Sequence, residues 1–367
     1  MNIPFVDLKA QYDAIKPEID KAIAGVINNT AFIKGHYVKT FEDHYAEKYG
    51  VKHCIGVANG TDAIFIALKM LGVGPGDEVI TTALSWISTS EAISLTGAKP
   101  VFVDIEPEYY TIDPSKIEGK VNKTTKAIIP VHLYGQCADM KPILDIAQKY
   151  GLYVVEDSAQ AHFAEYQGEF AGTMGDAGTF SFYPGKNLGA YGDAGAIITN
   201  NDELAEKMRM FANHGALQKH HHKMEGINSR LDGLQAAILD VKLQYILQWN
   251  KARRQIAQRY KEQLKNTKSV KTPKERLDGK HIFHVFNIRA ADRDRLRTYL
   301  RNQEINTAIH YPTPLPFLKP YYKKGNEKEF VNVKDIQTDI LSLPIFPEMT
   351  DEQINYATQK TINFYNK

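Results

Sequence analysis

Cysteine and tryptophan are both scarce, with two of each in 367 residues. Cys54 and Cys137 lie far apart, in no metal-ligand spacing and in apolar or glycine-flanked segments, so they read as buried thiols in a reducing compartment. Long hydrophobic runs are missing, since no stretch approaches the roughly 20 residues that a membrane span needs. The opening MNIPFVDLKAQYD lacks a basic region followed by an apolar run, so it is not read as a signal peptide. Charge of one sign is missing as well: 45 basic residues stand against 43 acidic ones, a net charge of +2. That balance gives no global reason to expect nucleic acid or a membrane surface as partner. There are no internal repeats and no low-complexity segment. The expectation is a soluble, cytoplasmic protein, long enough for one large and one smaller domain.

What is present centres on Leu152 to Ile198. Two apolar runs within it, Leu152–Val155 and Thr179–Phe182, have the length and β-rich composition of buried strands. The first ends in Glu156-Asp157-Ser158 and the second in Ser181 through Lys186. Polar residues at the carboxyl ends of buried strands mark where an α/β sheet holds its ligand. Lys186 lies in a loop with Gly185, Gly189, Gly192 and Gly195, which let a backbone approach a bound group closely or take positive φ. An acid at one strand end and a lysine at another point to pyridoxal phosphate chemistry. The carboxylate keeps the pyridine nitrogen protonated; the lysine holds the aldehyde as a Schiff base and later moves the proton. Taken singly, each residue is better explained as a capped strand end or a solvated lysine. The rest of the chain has to decide.

In chain order, IPFVDL reads as a short strand, with helices over Ile15–Ile27 and Phe41–Tyr49 and an irregular segment from Asn28 to Gly35 between them. His53–Ala58 is a strand, and Asn59-Gly60-Thr61-Asp62 turns into a helix over Ala63–Leu71. A Gly-Thr pair opening a helix offers free N–H groups and a hydroxyl to a phosphate; the plainer alternative is an N-cap by Thr61 or Asp62. Val79–Thr82, Pro100–Val103 and Thr125–Val131 are further strands, with helices over Ser88–Leu95 and Met140–Tyr150. Trp86, just after a strand, either stacks on a planar ring or fills core space. Strands alternating with helices specify a mostly parallel sheet covered on both faces.

After a helix over Asp202–Ala212, the loop Asn213–Ile227 carries His220-His221-His222. Three adjacent residues on regular backbone do not converge on one ion, so no metal is expected. A long helical pattern follows from Asn228-Ser229-Arg230-Leu231-Asp232 to about Lys265, with Asn228 or Ser229 as N-cap and Asp232 in the first turn. Beyond it come a strand at His284–Arg289, a helix at Asp292–Gln303, a strand at Ala308–Pro312 and a closing helix at Asp351–Asn366. These form a small α+β unit whose His310-Tyr311 end faces the site. The division expected is 1–245 and 246–367.

VANGTDAI, VVEDSAQAH, SFYPGKNLGAYGDAGAI, GINSRLDGLQAAIL and HYPTPL stand in the order found in the nucleotide-sugar aminotransferases of the DegT/StrS group, and IPFVDLKAQY extends the likeness from end to end. The chain resembles that family. The resemblance implies fold type I, a mostly parallel seven-stranded sheet sandwiched by helices, with pyridoxal 5′-phosphate as cofactor and pyridoxamine phosphate as intermediate. It implies Lys186 as Schiff-base lysine and general base/acid, Asp157 on the pyridine nitrogen, Gln160 on the ring hydroxyl and Trp86 stacked on the ring. Gly60, Thr61 and Ser181 would hold the phosphate, joined by Asn228 from the neighbouring subunit of a homodimer. The sugar 3-dehydratases of the family carry histidine at the lysine position, so Lys186 favours transamination. Two departures stand out: NGT where much of the family reads SGT, and Gly233 where many relatives carry an acid.

By the same resemblance, L-glutamate is the donor and the acceptor is a keto sugar. The loop KHHHKMEGINSRLD is similar to that of enzymes acting on dTDP-3-keto-6-deoxyhexoses. Tyr183, Lys219, His220, His221, Arg230, His310 and Tyr311 are the candidates for the sugar and its diphosphate. A UDP-3-keto sugar acid or a 4-keto-6-deoxy sugar is the alternative acceptor. A non-catalytic pyridoxal-phosphate-binding regulator is the reading from another class, opposed by the intact Lys186, Asp157 and Gln160 set and by the lack of an appended basic segment.

Overall fold

The computed structural model describes residues 1–366. Seven five-residue strands form the large sheet: β1 (His53–Val57), β2 (Glu78–Thr82), β3 (Lys99–Val103), β4 (Thr125–Ile129), β5 (Tyr153–Asp157), β6 (Ala177–Ser181) and β7 (Gly195–Thr199). They lie in the order β1-β7-β6-β5-β4-β2-β3. β2 to β6 pair in parallel, while β7 runs antiparallel to both β6 and β1. Side chains alternate faces along a strand. Val79, Ala127, Ile129, Val155 and Ile197 therefore join the helices Gly60–Met70, Ser88–Leu95 and Asp202–Phe211 on one face. Ile80, Ile128 and Val154 face the helix Met140–Tyr150 on the other, where Phe180, Ala196 and Ile198 meet Phe41 and Tyr45. Both faces are thus covered, as a parallel sheet requires.

A second sheet, β8 (Val270–Lys271), β9 (Phe286–Ala290) and β10 (Ile340–Leu343), is antiparallel. Its core takes residues from the helices Ile246–Leu264, Arg293–Asn302 and Asp351–Tyr365, and also Ile3 from the start of the chain. The last helix opens with a capping box, in which Thr350 and Gln353 exchange side-chain-to-backbone hydrogen bonds at 3.2 and 3.0 Å.

Several expected elements come out differently. IPFVDL is not a strand: Ile3 makes one bridge to Ile305, and the helix Leu8–Ala14 follows, capped by the Asp7 carboxylate. The helix expected to start at Phe41 starts at Gly35. The single long helix is two, Gly233–Leu243 and Ile246–Leu264. Tight turns from Gln244 N–H to Val241 O and Tyr245 N–H to Lys242 O bend the chain without glycine or proline. The bend lets the first helix pack on Gly35–Tyr49 and the second on Asp351–Tyr365. Asp232, not Asn228 or Ser229, occupies the N-cap position. Gly195–Thr199, which begins at the last glycine of the Lys186 loop, is the antiparallel strand that closes the sheet against β1. Ala308–Pro312 makes only one bridge, Ala308 to Ser342, because Pro312 and Pro314 cannot continue a ladder.

Candidate active site

β5 delivers Asp157 and β6 delivers Ser181 to the same edge of the sheet. Asp157 is buried, and burial raises its carboxyl above 3.8. Thr89 Oγ1 donates to its Oδ2 at 2.8 Å and Ala159 N–H to its Oδ1 at 3.2 Å, and both bonds favour the ionised form. Thr89 in turn accepts from Ser85 Oγ at 2.8 Å. Lys186 also acts on Asp157 through charge. Burial pushes the Lys186 ammonium down to about 8, against the pull of Asp157. Lys186 is half-buried, not freely solvated.

Gln160 is fixed at both ends. Its Oε1 accepts from Tyr134 N–H at 2.7 Å, and its Nε2 donates to Tyr311 OH at 2.8 Å. Tyr311 lies 5.6 Å from Trp86, centroid to centroid. Trp86 is 58% exposed, so it is not core filler. His310 is held by Ser342 Oγ at 2.9 Å, and burial with the nearby Lys186 charge lowers it to about 4.

The glycines serve close approach. A Cβ on Gly60 would fall 2.7 Å from Ser181 Cβ, and one on Gly195 2.4 Å from the Asn59 carbonyl carbon. Asn59, not Thr61 or Asp62, caps the helix Gly60–Met70, accepting from Asp62 N–H at 2.8 Å. The first bond within that helix runs from Ala63 N–H to Asn59 O, so Gly60 and Thr61 keep N–H groups with no intrahelical partner. The Thr61 hydroxyl donates to Ser88 Oγ at 2.8 Å, next to the Thr89 that holds Asp157. An anion at Gly60-Thr61 and a protonated ring nitrogen at Asp157 both fit this donor and acceptor set.

Sequence reasoning missed Thr89, Ser88 and Tyr134. Ser88 and Thr89 open the helix Ser88–Leu95, and the hydroxyl-rich Ser85-Trp86-Ile87-Ser88-Thr89 run is the signal that points to them. Tyr134 acts through a backbone N–H, which leaves no trace in sequence. Other expected residues are not drawn in. Lys219, His220 and His221 lie exposed in the loop before Asn228, which is itself exposed. Tyr183 is 60% exposed. Arg230 lines a separate cavity of about 160 Å³ with Lys34, Glu42 and Arg209, its Nε buried without a partner. Gly233 gains a reason: a Cβ there would fall 2.0 Å from Ala31 O, and its N–H donates to Phe32 O at 2.7 Å. A side chain at 233 would displace the segment that leads to Lys34.

Residues 13–361 match the DegT/DnrJ/EryC1/StrS aminotransferase family. The chain belongs to that family. It is 49% identical over 370 residues to the "Pleiotropic regulatory protein" of Geobacillus stearothermophilus, covering 100% of this chain and 99% of that one. It is 44% identical over 363 residues to the dTDP-3-amino-3,6-dideoxy-alpha-D-galactopyranose transaminase of Aneurinibacillus thermoaerophilus, covering 99% of each. With the UDP-2-acetamido-2-deoxy-3-oxo-D-glucuronate aminotransferase of Pseudomonas aeruginosa it shares 42% over 353 residues, 96% of this chain and 97% of that one. The crystal structure of DesV from S. venezuelae in complex with a ketimine intermediate superposes with a TM-score of 0.96 at 38% identity, covering 100% of this chain and 99% of that one. The protein is a fold type I, pyridoxal-phosphate-dependent sugar aminotransferase. No helix among the described residues is long and apolar enough to cross a membrane.

Proposed function

We propose that this aminotransferase moves an amino group from L-glutamate to C3 of a dTDP-3-keto-6-deoxyhexose, giving a dTDP-3-amino-3,6-dideoxyhexose for surface-glycan or glycosylated-metabolite synthesis in the cytoplasm. The observation that carries the chemistry is a half-buried Lys186 amine, lowered to about 8 by burial, with the buried Asp157 carboxylate acting on it through charge. Pyridoxal phosphate, when bound, supplies an electron sink and a carrier for the amino group. Gly60 and Thr61 N–H groups, with the Ser181 hydroxyl, would hold its phosphate, and Asp157 would keep its ring nitrogen protonated. Gln160 would serve its ring hydroxyl, and Trp86 would stack on its ring. Lys186, free amine in part near pH 8, would take the α-proton of the amino donor in the first half-reaction and deliver a proton to C3 of the sugar in the second. Tyr311 and His310 would flank the sugar; Tyr183, exposed on the Lys186 loop, and Lys219, His220, His221 and Arg230, which lie outside the Lys186 set of their own chain, would reach its hexose and diphosphate only where the partner subunit brings them to the site.

The functional unit in this reading is a homodimer with two shared sites. Asn228 is exposed, as a residue serving the partner's phosphate would be. Phe32 and Ile33, exposed by 49% and 53%, supply apolar surface for such contact. The transaminase named for a dTDP-3-amino-3,6-dideoxyhexose supports the sugar assignment. A UDP-3-keto sugar acid is the second reading, favoured by Arg230, a cation with an unpartnered buried Nε suited to a carboxylate. A 4-keto-6-deoxy sugar is the third acceptor to be tried.

A single-turnover experiment tests these readings. The protein is first converted to its amino form with glutamate. It is then mixed in turn with the gluco and galacto dTDP-3-keto-6-deoxy sugars, a dTDP-4-keto-6-deoxy sugar and a UDP-3-keto sugar acid. Return of the resting visible spectrum with only the dTDP-3-keto sugars supports the proposal. Return with another acceptor moves the substrate and leaves Lys186 in place. No spectral change with glutamate would overturn the donor.

A further inference from the structure

The loop that carries Lys186, from Tyr183 to Tyr191, is fastened at several points. Lys186 N–H donates to Tyr183 O at 2.8 Å, and Gly189 closes the turn so tightly that a Cβ would fall 2.3 Å from Pro184 O. Asn187 is buried; its Nδ2 donates to Asn250 Oδ1 at 2.8 Å, and its Oδ1 meets His284 Nδ1 at 3.1 Å. Tyr191 N–H donates to Gln235 Oε1 at 2.8 Å. The Gly189 carbonyl accepts from Lys242 Nζ at 2.7 Å.

Lys242 is the unusual member. It has no exposed surface, and its Nζ stands 4.2 Å from the centroid of the Tyr191 ring. The amine transfer described above gives it no task. Burying an amine costs solvation that a methionine of similar length would not forgo. A lysine here is best explained by what its amine holds, which is the backbone three residues beyond Lys186. Burial lowers Lys242 to about 7, with Glu348 opposing, which agrees with an amine enclosed by protein on every side.

We propose that Lys242 is a positioning residue for Lys186: by pinning the Gly189 carbonyl it fixes the loop from which the Lys186 side chain enters the site. This rests on Lys186 being the proton-moving amine. The charged and titratable groups acting on Lys186 are Asp157, His162, His284 and His310. Burial keeps the three histidines well below neutral pH, His162 at about 3 and His310 at about 4. The three histidines are therefore neutral where Lys186 titrates, and with Asp157 unchanged between wild type and variant a shift of the Lys186 midpoint reports how deeply its loop seats it.

The test follows acylation of Lys186 against pH by peptide mass spectrometry on cofactor-free protein, alongside kcat and KM of the loaded enzyme. In the wild type the labelling midpoint is expected at about 8. In Lys242→Met it is expected to rise toward 10.5, the ordinary lysine value, as the released loop lets water reach Lys186. kcat is expected to fall about tenfold, 1.36 kcal/mol in barrier, with KM for the sugar little changed and Tm not lowered. Lys242→Arg, which keeps a donor, is expected to restore the midpoint. If Lys242→Met does not fold, Lys242→Leu, which likewise has no donor for the Gly189 carbonyl, is read in the same way. A midpoint that stays near 8 in whichever variant folds overturns the positioning role, whatever happens to kcat or Tm. A wild type that already labels near 10.5, the ordinary lysine value, overturns the positioning role too, because no lowered midpoint is left for Lys242 to hold; failure of borohydride to fix cofactor at Lys186 would separately overturn the assignment of Lys186 itself.

Discussion

Replacing Thr89 by valine removes one hydroxyl and keeps the shape of the side chain. That hydroxyl donates to Asp157 Oδ2 at 2.8 Å in a buried setting. A hydrogen bond to a charged group contributes about 1.5–3 kcal/mol, so T89V should cost that much wherever Asp157 is ionised. The pH dependence follows from the sign of the Asp157 shift. Burial raises its carboxyl above the ordinary 3.8. Between 3.8 and the raised value, the folded protein holds a proton that the unfolded chain has released, so stability falls as pH rises through that window. Losing Thr89 raises the carboxyl further and extends the fall to higher pH. From mildly acid to mildly alkaline pH the T89V deficit should therefore grow, smallest where Asp157 is protonated and largest where it is ionised.

Urea unfolding of cofactor-free protein across that range measures it. Ser85→Ala is the control, because Ser85 loses its partner in T89V and that cost does not vary with pH. A deficit of equal size at both ends of the range, after subtracting the control, would refute the claim that Thr89 stabilises the Asp157 charge.

Three further outcomes are expected. Lys186→Ala should abolish amine transfer and leave no cofactor fixed to the chain after borohydride treatment; transfer at more than about a thousandth of the normal rate would remove Lys186 from its role. Gly195→Ala places a Cβ 2.4 Å from the Asn59 carbonyl carbon, so it should lower stability by about 1–3 kcal/mol and weaken phosphate binding, checked by unfolding and by cofactor titration. Glu156→Ala should be among the most damaging changes outside the site. The buried carboxylate accepts from Gly172, Met174 and Gly175 N–H groups, each at 2.7 Å, and meets His132 Nε2 at 2.8 Å. Orphaning these donors should cost about 3 kcal/mol or more, and an unchanged unfolding midpoint would show that the 172–175 loop finds other acceptors.

The sequence by itself determined the elements whose periodicity their own packing enforces. Ser88–Leu95 and Met140–Tyr150 are where apolar spacing places them, since each buries one face against the parallel sheet. It also determined the polar strand ends, because buried apolar runs must stop where Asp157 and Ser181 meet the site. The family and the cofactor were legible for the same reason: Lys186, Asp157, Gln160 and Gly60 stand in long local motifs. Tertiary structure decided what depends on partners distant in sequence. Nothing local marks the bend between Leu243 and Ile246, because it is imposed by two packing surfaces rather than by a breaker residue. Nothing local shows that Gly195–Thr199 pairs with β1, or that Thr89 reaches across 68 positions to hold Asp157. The lowered amine of Lys186 is likewise a tertiary property, because the solvent that would stabilise its charge is excluded by strands, loops and helices brought together only on folding.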